Sequence, residues 1–353
     1  MNETHDEALV SGVVFRGFRG FTEDIPGMAA ANQALRDVAG IEEVVNADDM
    51  ARDYAHLVNC DLAEDLRIAV RDGRTVGYAR CEWRDLTDGT RSFANIALVE
   101  PTEAGTGTLE ALVDWAEHRL LAKAAAIPAD ERRPSAMTTS TFGAEVETMA
   151  LLQARGWIRT GVGYEMVRPT LDEVPDVPLP PGLEVRPVPL DRAMLRHVWD
   201  AGSEAFRDER GETESTEEDW QNFLADDKQD PSLWAIAFDG DEVAGGVGGP
   251  IDPDENAHHG RERGIVDAVW VRRPWRRRGL ARALIARVLI QLRERGMTSA
   301  YLSVDGLNPN SAASLYRSLG FEPVSTSYDW KKALPAELGG YPIVPPDGQG
   351  AAT

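Results

Sequence analysis

The feature that most restricts the fold is an order of elements that occurs twice. In the second half a short strand, Leu183–Val188, precedes helical stretches near Asp191–Phe206 and Ser215–Ala225. Leu233–Phe238 and Glu242–Gly248 alternate around Asp239-Gly240-Asp241, which predicts a hairpin. An apolar strand, Ile265–Val271, leads to a helix whose Leu280, Leu284, Val288 and Leu292 form one stripe, with Gly296 as its stop. Strand Tyr301–Val304, helix Ser311–Leu319 and closing strands over Phe321–Trp330 follow. The first half keeps this order: strands at Leu66–Val70, Thr75–Glu82 and Phe93–Val99, helix Leu109–Leu121, strand Ala136–Ser140, helix Glu145–Ala154, then strands to Val167. The ends align without gaps, Leu151-Leu-Gln-Ala-Arg-Gly-Trp157 against Leu315-Tyr-Arg-Ser-Leu-Gly-Phe321, with Tyr164 against Tyr328. An internal duplication explains both the alignment and the shared order.

The boundary between the copies is Leu171–Gly182, where four prolines fix φ and remove backbone donors. The expected division is a degenerate domain over 1–170, a linker over 171–182, a catalytic domain over 183–334 and a loose Gly/Pro-rich tail over 335–353. A length of 353 residues suits two cores better than one. With 42% hydrophobic and 27% charged residues the composition is that of a folded chain. No apolar run approaches the roughly 20 residues that cross a bilayer. The acidic Met1–Glu7 lacks the basic and apolar regions of a signal peptide. Cys60 and Cys81 make neither a disulfide framework nor a CxxC metal site, and a cytoplasmic location is expected.

The net charge of −22 excludes bulk binding to nucleic acid or a membrane surface. Its distribution is more informative. Residues 200–255 carry 18 acids and 3 bases, whereas residues 256–296 carry 3 acids and 11 bases. A solvated acidic surface beside a basic helix is the plain reading of such runs. The basic island, however, sits at a strand–turn–helix junction, Val269-Trp-Val-Arg-Arg-Pro-Trp-Arg-Arg-Arg-Gly-Leu-Ala281. Free N–H groups and the dipole at a helix start favour an anion, and Gly279 and Ala281 leave room for one. Arg272, Arg273, Arg276, Arg277 and Arg278 crowd the end of the helix where the dipole disfavours cations. A pyrophosphate-binding turn accounts for that placement.

Arg276-x-x-Gly279-x-Ala281 resembles the Gln/Arg-x-x-Gly-x-Gly/Ala signature of the GNAT superfamily of acetyl-CoA-dependent N-acetyltransferases. Asn308-Pro-x-x-Ala312-x-x-Leu315-Tyr316-x-x-x-Gly320-Phe321 resembles its second signature. The likeness covers about residues 183–334 well and 14–170 as a degenerate copy, in the manner of tandem acetyltransferases. It implies two α/β domains, each a mixed, mostly antiparallel sheet flanked by helices and split at its fourth and fifth strands. It also implies acetyl-CoA as co-substrate, no metal, and a small-molecule or peptide amine as acceptor. The backbone of Arg277, Arg278, Gly279, Leu280, Ala281 and Arg282, beside Arg276, would cradle the pyrophosphate. Val269 and Val271 would pair with the pantetheine arm, Asn308 would hydrogen-bond near it, and Tyr316 would protonate the departing thiolate. A phenol titrates close enough to a thiol for that task.

The general base is set by register. Many relatives place a Glu on the fourth strand, where Ile265 stands, or on the fifth, where Ser303 stands. Asp267, one inward step from Ile265, is the candidate. His258 and His259 sit in a Gly-flanked polar loop and read as surface residues. The first copy keeps glycines in Thr102-Glu-Ala-Gly105-Thr-Gly107 but has no arginines there, and Leu152 replaces Tyr316. It is expected to do no chemistry. The acids Glu204, Asp208, Glu209, Glu212, Glu214, Glu217, Glu218 and Asp219 suggest an anionic lip that draws a cationic amine. A non-catalytic acyl-CoA sensor and a thioester hydrolase are the rival functions; the oligomeric state is not readable.

Overall fold

A computed structural model gives the fold and describes residue 10 and residues 12–226, 229–307 and 312–346. In chain order the elements are β1 (Val13–Arg16), α1 (Phe21–Ala39), α2 (Ala47–Ala55), α3 (Leu62–Asp65), β2 (Leu66–Arg71) and β3 (Arg74–Asp85). Next come β4 (Arg91–Val99), α4 (Thr108–Ala126), β5 (Ser135–Phe142), α5 (Val146–Ala154) and β6 (Ile158–Arg168). The second half holds β7 (Glu184–Arg186), α6 (Arg192–Phe206), α7 (Glu217–Ala225), β8 (Ala235–Asp239), β9 (Glu242–Gly248) and α8 (Pro253–His259). It ends with β10 (Arg263–Ile265), β11 (Asp267–Val271), α9 (Leu280–Glu294), β12 (Ser299–Asp305), α10 (Ala312–Ser318) and β13 (Glu322–Ala333).

The chain packs as two compact units, one running to Gly161 and resuming at Ser327, the other spanning Val162–Thr326. Boundaries at 170 and 334 do not coincide with these units, and strand pairing is the reason. Residues 163–168 of β6 run antiparallel to β12, inside the second unit. Residues 327–333 of β13 run antiparallel to β5, inside the first. Each unit thus takes the neighbour of its fifth strand from the other half of the sequence. The stretch after Pro335, expected as a loose tail, opens with a single 3-10 turn, Ala336–Leu338. Leu338 packs on the first unit's core and Gly340 bridges Ser135.

In the first unit β1–β5 form a sheet with one parallel pair, β4 and β5. Side chains alternate between its faces. Ala69, Ala79 and Phe93 pack with Leu112 and Leu120 of α4, while Ile68, Tyr78 and Leu98 pack with Ile25 and Met28 of α1. The second unit repeats the plan. Ala235 and Ala237 face α9, and Ile236 and Phe238 face Val198 and Ala201 of α6. The stripe read from the sequence is the buried face of α9, with Leu280, Leu284, Val288 and Leu292 all at 0–1% exposure. Burying each such side chain contributes roughly 1.5–3 kcal/mol, so the helix that starts at the arginine turn is firmly anchored.

One difference between the units positions the site. In the first, β4 is continuous, and all nine residues pair with β3 without a register break. In the second, the expected strand Ile265–Val271 is broken at Val266. Its first part, β10, pairs in parallel with β12, and its second, β11, pairs with β9 in a separate sheet. The Val266 N–H still reaches the Tyr301 carbonyl at 2.8 Å, after which the strands part. A bulge follows at Ala268, whose φ is +46°. The edge of β11 away from β9 therefore opens onto the gap.

Candidate active site

The gap between β11 and β12 is a cavity of about 680 Å³ lying within the second unit. The arginine turn closes one end. It runs from β11 through a 3-10 turn, Arg273–Trp275, to Gly279, the N-cap of α9. Gly279 is left-handed (φ +87°), a conformation open to glycine without steric cost. No side chain caps this helix start, and its first bond of this kind runs from the Ala283 N–H to the Gly279 carbonyl at 3.1 Å. The N–H groups of the first turn are thus available to an anion. Arg277 is also left-handed (φ +62°), which costs a non-glycine residue roughly 1–2 kcal/mol. Its side chain lines the cavity.

The arginines have two jobs. Arg272 donates to Glu204 at 2.7 Å and to Glu242 at 3.1 Å. Arg273 donates to Asp208 at 2.8 Å. Arg276 is fully engaged, donating to the Val271 carbonyl (2.8 Å), to Asp208 (2.6 Å) and to the Ala205 carbonyl (2.9 Å). The hydrogen bonds from Arg273 and Arg276 hold the Asp208 carboxyl far below the usual carboxylate range. These three arginines tie the turn to the end of α6. Arg277, Arg278 and Arg282 make no ion pair among the described residues, and Arg277 and Arg282 line the cavity. Glu204 and Asp208, expected on an acceptor-side lip, are spent on the turn instead. The arginines needed these carboxylates because Arg272, Arg273 and Arg276 lie against α6.

Tyr316 from α10 stands against the same cavity, 6% exposed, its ring edge-on to Phe321 at 6.1 Å. Nothing among the described residues hydrogen-bonds its hydroxyl. Burial raises its pKa above the ordinary phenol value, and the charges of Glu209 and Asp267 add to the shift. The group therefore keeps its proton at neutral pH and is a donor, not a base. Asp267 opens β11 opposite Gly248, exposed and lining the cavity with Ser303 and Asp305.

Three comparisons with known proteins bear on this geometry. Residues 195–321 match the model of the acetyltransferase (GNAT) family. A mycothiol acetyltransferase from Nocardiopsis dassonvillei is 29% identical over 265 residues, 72% of this chain and 77% of that protein. A GCN5-related N-acetyltransferase structure from Sphaerobacter thermophilus superposes with a TM-score of 0.66 at 25% identity, covering 91% of this chain and 95% of that one. A tandem GNAT protein from the clavulanic acid biosynthesis pathway shares the fold (TM-score 0.60, 16% identity, 91% and 98% covered). The second unit carries a GNAT acetyltransferase domain. The chain as a whole shares the fold of a tandem GNAT protein, and its second unit is similar to GNAT N-acetyltransferases.

Most residues singled out in the sequence meet at this one place. Asp267, Val269, Val271, Arg276, Arg277 and Tyr316 line the GNAT cavity, as do Gly279, Leu280, Ala281 and Arg282. Arg278 is exposed and not among the lining residues, and Asn308 lies outside the described residues. Glu209, first noticed only as part of an acidic run, lines the cavity and acts on Tyr316. His258 and His259 end the short helix α8 instead of lying in a loop, and both are exposed. Among the described residues no group of three or more His, Cys, Asp or Glu could hold a metal, and no helix is long and apolar enough to cross a membrane.

The matching turn in the first unit is lined by carboxylates and their arginine partners, and α4, like α9, starts without a side-chain cap. A 3-10 turn, Pro101–Glu103, leads to Gly107 (φ +89°) at the start of α4. Glu103, 3% exposed, takes two hydrogen bonds from Arg71 at 2.6 and 2.8 Å and one each from Thr108 (2.8 Å) and Thr106 (3.0 Å). Glu100 pairs with Arg74 and accepts from Thr102 at 2.5 Å. The Arg71 hydrogen bonds lower Glu103's pKa to about 2, so it is a permanent anion beside the helix start.

Proposed function

We propose that the second unit moves an acetyl group from acetyl-CoA to a primary amine by direct attack within a ternary complex. The observation that carries this reading is the single cavity that joins an uncapped helix start with Arg277 and Arg282 to an unpartnered, protonated Tyr316. Acetyl-CoA, as co-substrate, supplies the activated acyl thioester. The first-turn N–H groups and the Arg277 and Arg282 side chains suit a pyrophosphate. β11 is an edge strand, so the main chain at Val269 suits an extended amide arm. Val271 contributes less, since its carbonyl already accepts from Arg276.

Chemistry follows from the opposite wall. An acceptor amine is mostly protonated at neutral pH and must lose a proton before it attacks. Asp267, which lines the same cavity, takes that proton in this reading, directly or through water. Tyr316 gives its proton to the sulfur as the carbon–sulfur bond breaks; burial makes the phenol a weaker acid, so the transfer relies on its direct exposure to the cavity rather than on a matched pKa. With Glu209, Asp267 and Asp305 on this side and arginines on the other, the cavity favours a cationic acceptor. Amino sugars, polyamines and peptide N-termini all fit that description. The Nocardiopsis relative is named for mycothiol, and its acceptor belongs in the panel as well. The first unit, with Leu152 and a carboxylate-lined turn, does no chemistry in this reading.

The experiment is thiol release from acetyl-CoA across these amine classes, with Tyr316→Phe as control. Release that requires an amine and falls in the variant is expected. Release without an amine would make the protein a thioester hydrolase, and no release with tight acetyl-CoA binding would make it a sensor.

A further inference from the structure

Arg168 lies in the part of β6 that belongs to the second unit, paired with Ala300 of β12. It is 7% exposed, and among the described residues its guanidinium has no carboxylate partner. Burying this charge without one is costly, so the contacts it does make are informative. One nitrogen donates to the Leu319 carbonyl and another to the Glu173 carbonyl at 2.5 Å. Leu319 belongs to the turn that ends α10. The N–H groups of Leu319 and Phe321 both close on the Tyr316 carbonyl, at 2.9 and 3.1 Å, and the Phe321 ring meets the Tyr316 ring edge-on. Gly320 (φ +84°) completes the turn, and a Cβ there would collide with an Arg168 nitrogen. The guanidinium is therefore seated against the turn that fixes the Tyr316 backbone.

The first unit has the same turn without the same contact. The Trp157 N–H closes on the Leu152 carbonyl at 3.0 Å, and Gly156 is left-handed. The cation at the corresponding strand position, Lys332, goes instead to Glu117 at 2.8 Å, whose other oxygen takes the Trp157 indole N–H at 2.7 Å. Where the helix carries leucine, the strand cation serves an ion pair; where it carries tyrosine, the cation holds the cap.

We propose that Arg168 is a positioning residue for Tyr316, locking the C-terminal cap of α10 so that the hydroxyl stays directed into the cavity. The proposal rests on the reading of Tyr316 as the proton donor. It also makes the second unit's chemistry depend on a residue that precedes the proline linker.

The test is a double-mutant cycle. Arg168→Met and Arg168→Lys are made in the wild-type and Tyr316→Phe backgrounds, and thiol release from acetyl-CoA is followed with the fastest amine of the panel. In the wild-type background Arg168→Met lowers kcat at least tenfold and changes KM for acetyl-CoA less than threefold, with Arg168→Lys between the two. In the Tyr316→Phe background the same change costs less than threefold, because the group being positioned is gone. An equal loss in both backgrounds, or a loss confined to KM, overturns the positioning role. A Tyr316→Phe protein with full kcat overturns the reading of Tyr316, and the proposal with it. Should Arg168→Met melt below assay temperature, Gly320→Ala disturbs the same contact from the other side. It carries the same expectations.

Discussion

The two units share a strand, a turn and a helix start, and differ in what occupies that start. In the first, Glu103 sits there with Thr106 and Thr108, neutralised by Arg71. Neither helix start has a side-chain cap; in the second unit Arg277 and Arg282, unpaired with any carboxylate among the described residues, face a cavity. The position of Arg277 is instructive. Its counterpart two residues before the N-cap glycine of the first unit is Gly105, left-handed at φ +69°. Glycine takes that conformation freely, whereas arginine takes it under strain. The second unit keeps a strained side chain where a relaxed residue would serve the fold, so the side chain is there for what it contacts. The split strand teaches the same lesson. In the first unit β4 stays whole and paired with β3 along its length, whereas the break at Val266 in the second sends β10 and β11 to different sheets.

The comparison can be broken in three places. The largest effect is expected at Tyr316. Tyr316→Phe removes the proposed proton donor, and kcat should fall about a hundredfold or more, within the range usual for a lost general acid. Leu152→Tyr in the first unit should change nothing, because the turn beside it presents Glu100 and Glu103 where a phosphate would sit. A gain of activity there would mean the first unit is closer to function than its turn implies.

A smaller effect is expected at Arg277. Arg277→Gly should weaken coenzyme A binding about tenfold, the weight of one charge-assisted contact to a phosphate. Relief of the left-handed strain, roughly 1–2 kcal/mol, is offset by the flexibility of glycine at roughly 0.5–1 kcal/mol. Thermal melts should therefore show an unchanged or slightly raised midpoint. A large loss of stability would mean that Arg277 serves the fold.

The smallest effect is one of pH. Glu103 in the folded protein titrates near 2, below its ordinary value of 4.5. A carboxyl with a lowered folded-state pKa adds stability above its unfolded pKa and loses it as pH falls towards the folded value. Hydrogen exchange in the first turn of α4 should accordingly speed up between about pH 4.5 and 2. Glu103→Gln should exchange faster at neutral pH and lose that acid-dependent step. An unchanged step in the variant would assign it to another group.

Much of the site was legible because it is local. The order Val269 to Ala281 encodes a strand, a turn and a helix within a dozen residues, and the apolar stripe of α9 fixes which face is buried. What the sequence hid is non-local. Ile158–Arg168 and Glu322–Ala333 carry similar patterns, and nothing local tells either strand which unit it completes. The charge map placed an acidic stretch beside the basic one without showing that Glu204 and Asp208 hold Arg272, Arg273 and Arg276. Nor did it show that Arg277 and Arg282 line the cavity. The break at Val266 left no mark either, since Ala268 is an ordinary strand residue until its φ of +46° is known.

The central claim is that one of the two turns receives the cofactor and the other, lined by its own glutamates, does not. Calorimetric titration of the full chain with coenzyme A tests it most directly. The account predicts one site per chain, weakened about tenfold by Arg277→Gly and unaffected by Arg74→Gln in the first unit. Two sites of equal affinity, or one site that survives Arg277→Gly but is lost in Arg74→Gln, would contradict it.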